Sequence, residues 1–250
     1  MFRVVHARIL KRISFAFILA FFCAWFIFLQ TSSFDALPAS GVEQRAIYHG
    51  PQDKNRVALT FNISWGDERA APILSFLKEN NVPATFFLTG EWAEKHPELV
   101  EQIAEDGHDI GNLGYNYESY VGMKPDKIQS NLIKAANVFD KLSVKTTSFA
   151  RPPNGHLNPD VIQALDKNGY QTIHWSINTE DWKNPGKEKI LENLADAKSG
   201  DILLLHASDS AQQTLVALPD LLKKLQDKDL VPVTLSALIE DMSLNTEEVQ

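Results

Sequence analysis

The feature that most constrains the fold of this chain is an alternation. Short apolar runs at 57–61, 84–88, 108–111, 147–150, 170–175, 201–205 and 231–233 read as buried strands. A further short strand is expected at 45–48. Between the runs lie longer stretches with apolar residues at helical spacing. Helices are expected over 68–80, with Ala71, Ile73, Leu74 and Leu77 facing inward, and from Pro97 to about Asp106. A longer helix opens at Pro125 and carries Ile128, Leu132, Ala135, Phe139 and Leu142. Others are expected over 159–168 (closed by Gly169), 187–197, along Leu215, Leu218, Leu221, Leu222 and Leu225, and over 236–242. Strand after helix after strand predicts an α/β fold with a parallel sheet, closed into a barrel, whose chemistry lies on the loops after the strand C-termini.

A different pattern precedes this body. Residues 13–29 are apolar except for Ser14 and Cys23. At about 1.5 Å per residue the run nearly spans a hydrocarbon core of about 30 Å. Arg3, Arg8, Lys11 and Arg12 precede it, and Asp35 is the first charge after it. The expected layout is a cytoplasmic tail at 1–12, a transmembrane anchor at 13–30 and a polar linker at 31–44. A cleaved signal peptide is the alternative, and either reading places the body outside the cytoplasm. The chain's net charge is −8; the first 40 residues carry +3, so the rest carries −11. Such an acidic body argues against nucleic acid as a partner. Cys23 is the only cysteine, so the body has neither a disulfide nor a cysteine metal ligand.

The expected strand ends carry polar and aromatic residues: Asn62-Ile63-Ser64-Trp65-Gly66-Asp67, Asn112-Leu113-Gly114-Tyr115-Asn116-Tyr117, Arg151-Pro152-Pro153-Asn154-Gly155, Asn178-Thr179-Glu180-Asp181-Trp182 and His206-Ala207-Ser208-Asp209-Ser210. Five such clusters, in order at corresponding positions, form a pattern that one would not. Together with Leu59-Thr60-Phe61, His174-Trp175-Ser176 and Leu204-Leu205, they resemble the polysaccharide deacetylases, the NodB-homology family. The resemblance covers roughly 57–238 and is strongest to the PdaB-like sporulation branch. It implies a distorted parallel (β/α) barrel of the NodB-homology type over 45–243, followed by a tail at 244–250.

The resemblance also implies a chemistry. Family members bind a divalent metal, usually zinc, through an Asp and two His; a second Asp is the base and a His the acid. The two adjacent aspartates correspond here to Asn62 and Ile63, and the two histidines to Leu113 and Tyr117. An amide is no general base, and Ile and Leu offer no ligand atom. No metal or other cofactor is therefore expected. Arg151, Pro153, Asp181, Trp182 and His206 match the remaining motifs.

His206 reads either as a residual general acid or as a buried histidine bonded to Asp181. Arg151 is expected in a salt bridge to Asp181 or another acid across the mouth. Asp67 is expected at a helix N-cap or in a first turn. Trp65, Tyr115, Tyr117, Tyr120 and Trp182, with Pro153, are expected along a sugar-binding groove. The resemblance thus implies a deacetylase-like protein of the cell wall or spore cortex, acting on peptidoglycan-type glycan with weak or no activity. The alternative is a membrane-anchored, non-catalytic glycan-binding protein.

Overall fold

The computed structural model describes residues 46–240. The expected cytoplasmic tail, anchor and linker, and the tail at 244–250, lie outside the described residues. Among the described residues no helix is long and apolar enough to cross a membrane.

The strands are β1 (Arg56–Ile63), β2 (Thr85–Leu88), β3 (Asp109–Asn112), β4 (Phe149–Ala150), β5 (Gln171–Thr172), β6 (Ile177–Asn178), β7 (Ile202–His206) and β8 (Val231–Val233). The helices are α1 (Ala70–Glu79), α2 (Gly90–Lys95), α3 (Pro97–Glu105), α4 (Pro125–Lys141), α5 (Pro159–Lys167), α6 (Lys187–Glu192) and α7 (Thr214–Gln226). Residues 235–240 are also helical. Every ladder is parallel, in the order β5-β4-β3-β2-β1-β7-β6, with β8 beside the first half of β1.

The strand sequences explain the two layers of core. Along β1, Val57, Leu59, Phe61 and Ile63 join a cluster with the helix residues Ile73, Leu74, Leu218 and Leu221. The alternate residue Ala58 joins Phe87, Leu113, Phe149, Ile173 and Ile202 on the barrel axis. Period-two alternation with both faces buried is what a central parallel strand requires. Pro97, Pro125 and Pro159 each open a helix, where the missing N–H costs nothing.

The structure corrects the expectation of a closed barrel. No ladder joins β5 to β6, so the sheet is a distorted half-barrel. Among the described residues the gap is spanned by isolated bridges, Ile47 to Ile173 and His49 to Asp201, in place of the short strand expected at 45–48. The runs expected at 147–150 and 170–175 shrink to two-residue strands, the second of them at the edge of the sheet. Helix α6 ends at Glu192, short of residue 197. Asp67 caps nothing: it is exposed, with His96 3.9 Å away. The backbone N–H of Arg69, at the start of α1, is instead satisfied by Asp209, 3.1 Å away.

Register sets the site. Asn62 at the end of β1 is level with His206 at the end of β7, and Asn112 is level with Ala150, the residue before Arg151. The first cluster is thus level with the fifth and the second with the third, and the Arg151–Asn62 hydrogen bond joins the two pairs at one mouth.

Candidate functional site

A cleft of about 420 Å³ opens at this mouth, lined by Asn62, Trp65, Tyr117, Trp175, Trp182 and His206, with serines 64, 208 and 210 between them. Larger hollows of about 700 and 620 Å³ lie toward the strand N-termini, lined by residues such as Phe149 and Ala237 or Leu222 and Pro232. Those gather no comparable set of polar groups, and in parallel α/β folds ligand sites lie at the other end.

On one wall stands the His206–Asp181 pair. Asp181 opens a 3-10 turn, Asp181–Lys183, flanked by Glu180 and Asn184 in left-handed conformations. That turn sends Asp181 inward, fully buried, and leaves Trp182 outward. Asp181 accepts hydrogen bonds from His206 Nδ1 at 2.8 Å, His206 N at 2.7 Å, Thr214 Oγ1 at 2.7 Å and Trp182 N at 2.9 Å. With Nδ1–H committed to the carboxylate, Nε2 is the atom His206 can offer to the cleft, the orientation an acid–base histidine needs.

Beneath the floor lies Arg151. Its Nη1 donates to Asn62 Oδ1 at 3.0 Å, and its Nη2 donates to Thr60 Oγ1 and His174 O, each at 2.9 Å. Phe87 lies 4.2 Å and Trp175 5.5 Å from the guanidinium carbon. The expected salt bridge to Asp181 is absent. Asp181 turns toward β7 and α7, and Arg151 spends its donors on neutral oxygens. Burial pushes the guanidinium down to about 9, which still leaves it charged at neutral pH.

Tyr117 lines the same cleft as Asn62; burial raises its hydroxyl above the usual tyrosine range, against the opposing influence of the Asn154 backbone, the Arg151 charge and the Asn62 side chain. His174 stacks on Trp175 at 3.8 Å, and its Nε2–H donates to Gly155 O at 3.2 Å. Gly155 has φ +67°, and a Cβ there would lie 2.2 Å from the Trp175 ring. Only glycine allows that approach.

Several expected groove residues lie elsewhere. Tyr115 bonds Glu94 through its hydroxyl and carries Lys134 over its ring, outside the cleft. Tyr120 is buried against Asn131. Pro153 is buried in the Pro153–Gly155 turn and is not among the residues lining the cleft. Trp65 and Trp182 do, at 55% and 47% exposure. Ser64 and Ser208, unmarked as site residues in the sequence, tie the first loop to the last through Ser64 N–H donating to Ser208 Oγ at 2.9 Å. Trp175, expected only as part of a strand, forms a wall of the cleft. Small hydroxyls and a strand-end tryptophan carry no distinctive spacing.

A half-barrel with a histidine–aspartate pair and an aromatic cleft at its strand ends has the layout of a barrel hydrolase. The family model for polysaccharide deacetylase matches residues 49–173. A peptidoglycan-N-acetylglucosamine deacetylase of Bacillus cereus is 33% identical over 207 residues, covering 81% of this chain and 75% of the relative. The crystal structure of a peptidoglycan N-acetylglucosamine deacetylase superposes with a TM-score of 0.74 at 33% identity, covering 81% of this chain and 97% of that one. That of a family 4 carbohydrate esterase pseudoenzyme from Bacillus anthracis superposes with a TM-score of 0.73 at 28% identity, covering 79% and 69%. The chain belongs to the polysaccharide deacetylase family.

The metal that the resemblance implies for this family does not fit the residues present. Leu113 is fully buried on the axis among Phe87, Phe149 and Ile173, and Ile63 is buried toward the helices. Asn62 Oδ1 is engaged by Arg151, and the raised Tyr117 phenol keeps its proton at neutral pH. Among the described residues, no three His, Cys, Asp or Glu side chains form a group that could hold a metal ion.

Proposed function

We propose that this protein is a non-catalytic member of its family that binds N-acetylated cell-wall glycan. One observation carries the reading: the positions matching the family's metal ligands and base hold Leu113 and Ile63, packed into the core, and Asn62, held by Arg151. Without a metal to polarise the carbonyl or a carboxylate to deprotonate water, amide hydrolysis loses several kcal/mol of barrier lowering. The cleft itself persists, and the exposed rings of Trp65 and Trp182 suit stacking on sugar faces. The relatives' names supply the polymer, peptidoglycan, and the Bacillus anthracis protein shows that this fold occurs as a pseudoenzyme. The apolar segment at 13–30 would anchor the body outside the cytoplasm, and the PdaB-like resemblance would place it in spore-cortex maintenance.

The intact His206–Asp181 pair favours a second reading, residual deacetylation. Acetate release and sedimentation with insoluble peptidoglycan, both measured on the purified full chain, separate the two. Co-sedimentation without acetate release is expected. Zinc-dependent release that His206→Ala abolishes would overturn the proposal.

A further inference from the structure

Arg151 is a buried cation with no counter-ion among the described residues. Its side chain is enclosed by Phe87, Trp175, Thr60 and Asn62, and its Nε–H has no partner. Every oxygen it meets is neutral, and among the described residues no carboxylate pairs with it. Asp181, on the opposite wall, is saturated by four donors. An isolated charge in a desolvated site is costly, and proteins ordinarily pair it. One side chain separates this charge from the cleft. Asn62 accepts from Arg151 through Oδ1, which leaves the amide nitrogen as its remaining polar atom in a cleft that Tyr117 also lines. The donation from Arg151 polarises that amide and strengthens what its N–H groups can bind.

We infer that the cleft floor is a carboxylate site: an anionic carboxylate seats against Asn62 Nδ2 and the Tyr117 hydroxyl and serves as the missing counter-ion of Arg151. The carboxylate could be free, as in acetate, or carried on a sugar, as in the lactyl ether of N-acetylmuramic acid. This rests on the glycan-binding reading only for the sugar-borne form.

Fluorescence of the cleft tryptophans, recorded on the purified full chain, reads the binding. Sodium acetate, N-acetylmuramic acid and neutral N-acetylglucosamine are titrated separately at constant ionic strength. Saturable binding of acetate and N-acetylmuramic acid, each displacing the other, is expected. Asn62→Asp supplies an internal carboxylate to Arg151 and should weaken both by roughly tenfold or more. Tyr117→Phe, which removes one donor and keeps the charge, should weaken them less. Acetate binding alone would assign the site to a free carboxylate. Both carboxylates binding unchanged in Asn62→Asp would overturn the inference. So would N-acetylglucosamine binding as well as N-acetylmuramic acid with no acetate effect, an outcome that leaves the glycan reading standing. Binding by none of the three would sink the carboxylate site, and peptidoglycan sedimentation would then judge the glycan reading separately.

Discussion

Replacing Asp181 with asparagine isolates the structural value of the His206–Asp181 pair. The wild-type carboxylate takes two donors on each oxygen: His206 Nδ1 and Trp182 N on Oδ1, His206 N and Thr214 Oγ1 on Oδ2. An amide turns one acceptor into a donor. If it faces the Oδ2 side, the Thr214 hydroxyl can rotate away, but the His206 backbone N–H cannot. If it faces the Oδ1 side, His206 can change tautomer, but the Trp182 N–H is stranded. Either way one buried donor loses its partner, at about 1–3 kcal/mol, and charge-assisted bonds become neutral ones, so a loss of about 2–4 kcal/mol is expected. His206→Ala removes the ring and its charge-assisted Nδ1 bond to the buried carboxylate and should cost about 1.5–3 kcal/mol. Urea unfolding of both variants and the double mutant, followed by circular dichroism, measures these values. A change within about 0.5 kcal/mol for Asp181→Asn would refute the reasoning, since it would mean that the donors find other partners.

Burial lowers His108 and His174 below the ordinary histidine range, so the folded state keeps them neutral while the unfolded chain takes up protons. Their stabilising effect is complete above about pH 6.5 and is lost as pH falls from there toward their folded values. Urea midpoints should decline between about pH 7.5 and pH 5, and less steeply in His108→Asn. Trp65→Ala and Trp182→Ala remove exposed rings and should change stability by no more than about 0.5 kcal/mol while reducing peptidoglycan sedimentation. Gly155→Ala drives a Cβ into Trp175 at a positive φ. It should cost about 1–3 kcal/mol and alter the tryptophan fluorescence of the cleft.

The elements legible in the sequence were those with long or repeated signals. The pattern of β1 is visible because both its faces are buried, and α3, α4 and α5 announce themselves through Pro97, Pro125 and Pro159. Helix α2 escaped because its six residues begin at Gly90 and depend on a cap from Thr89. Strand β6 escaped because two residues at the seam of an open sheet carry no periodicity. In the site, the His206–Asp181 contact was expected from the family resemblance, and the structure shows it at 2.8 Å. The partner of Arg151 was not, because a buried cation is expected to find an acid and this one is met by Asn62, Thr60 and a carbonyl. Tyr115 and Tyr120 fell outside the cleft because the loop after β3 turns back onto α2 and α4, a path set by Asn131 and Glu94 rather than by local sequence.

Zinc binding tests the central claim, that the metal and base positions have been converted into core and amide. Isothermal titration of zinc into the purified full chain, beside a variant combining Asn62→Asp, Ile63→Asp and Leu113→His, makes the measurement. No zinc binding by the wild-type cleft is expected, and any gain should appear only in the variant. Stoichiometric zinc binding by the wild-type chain that Tyr117→Phe or Asn62→Ala weakens would contradict it.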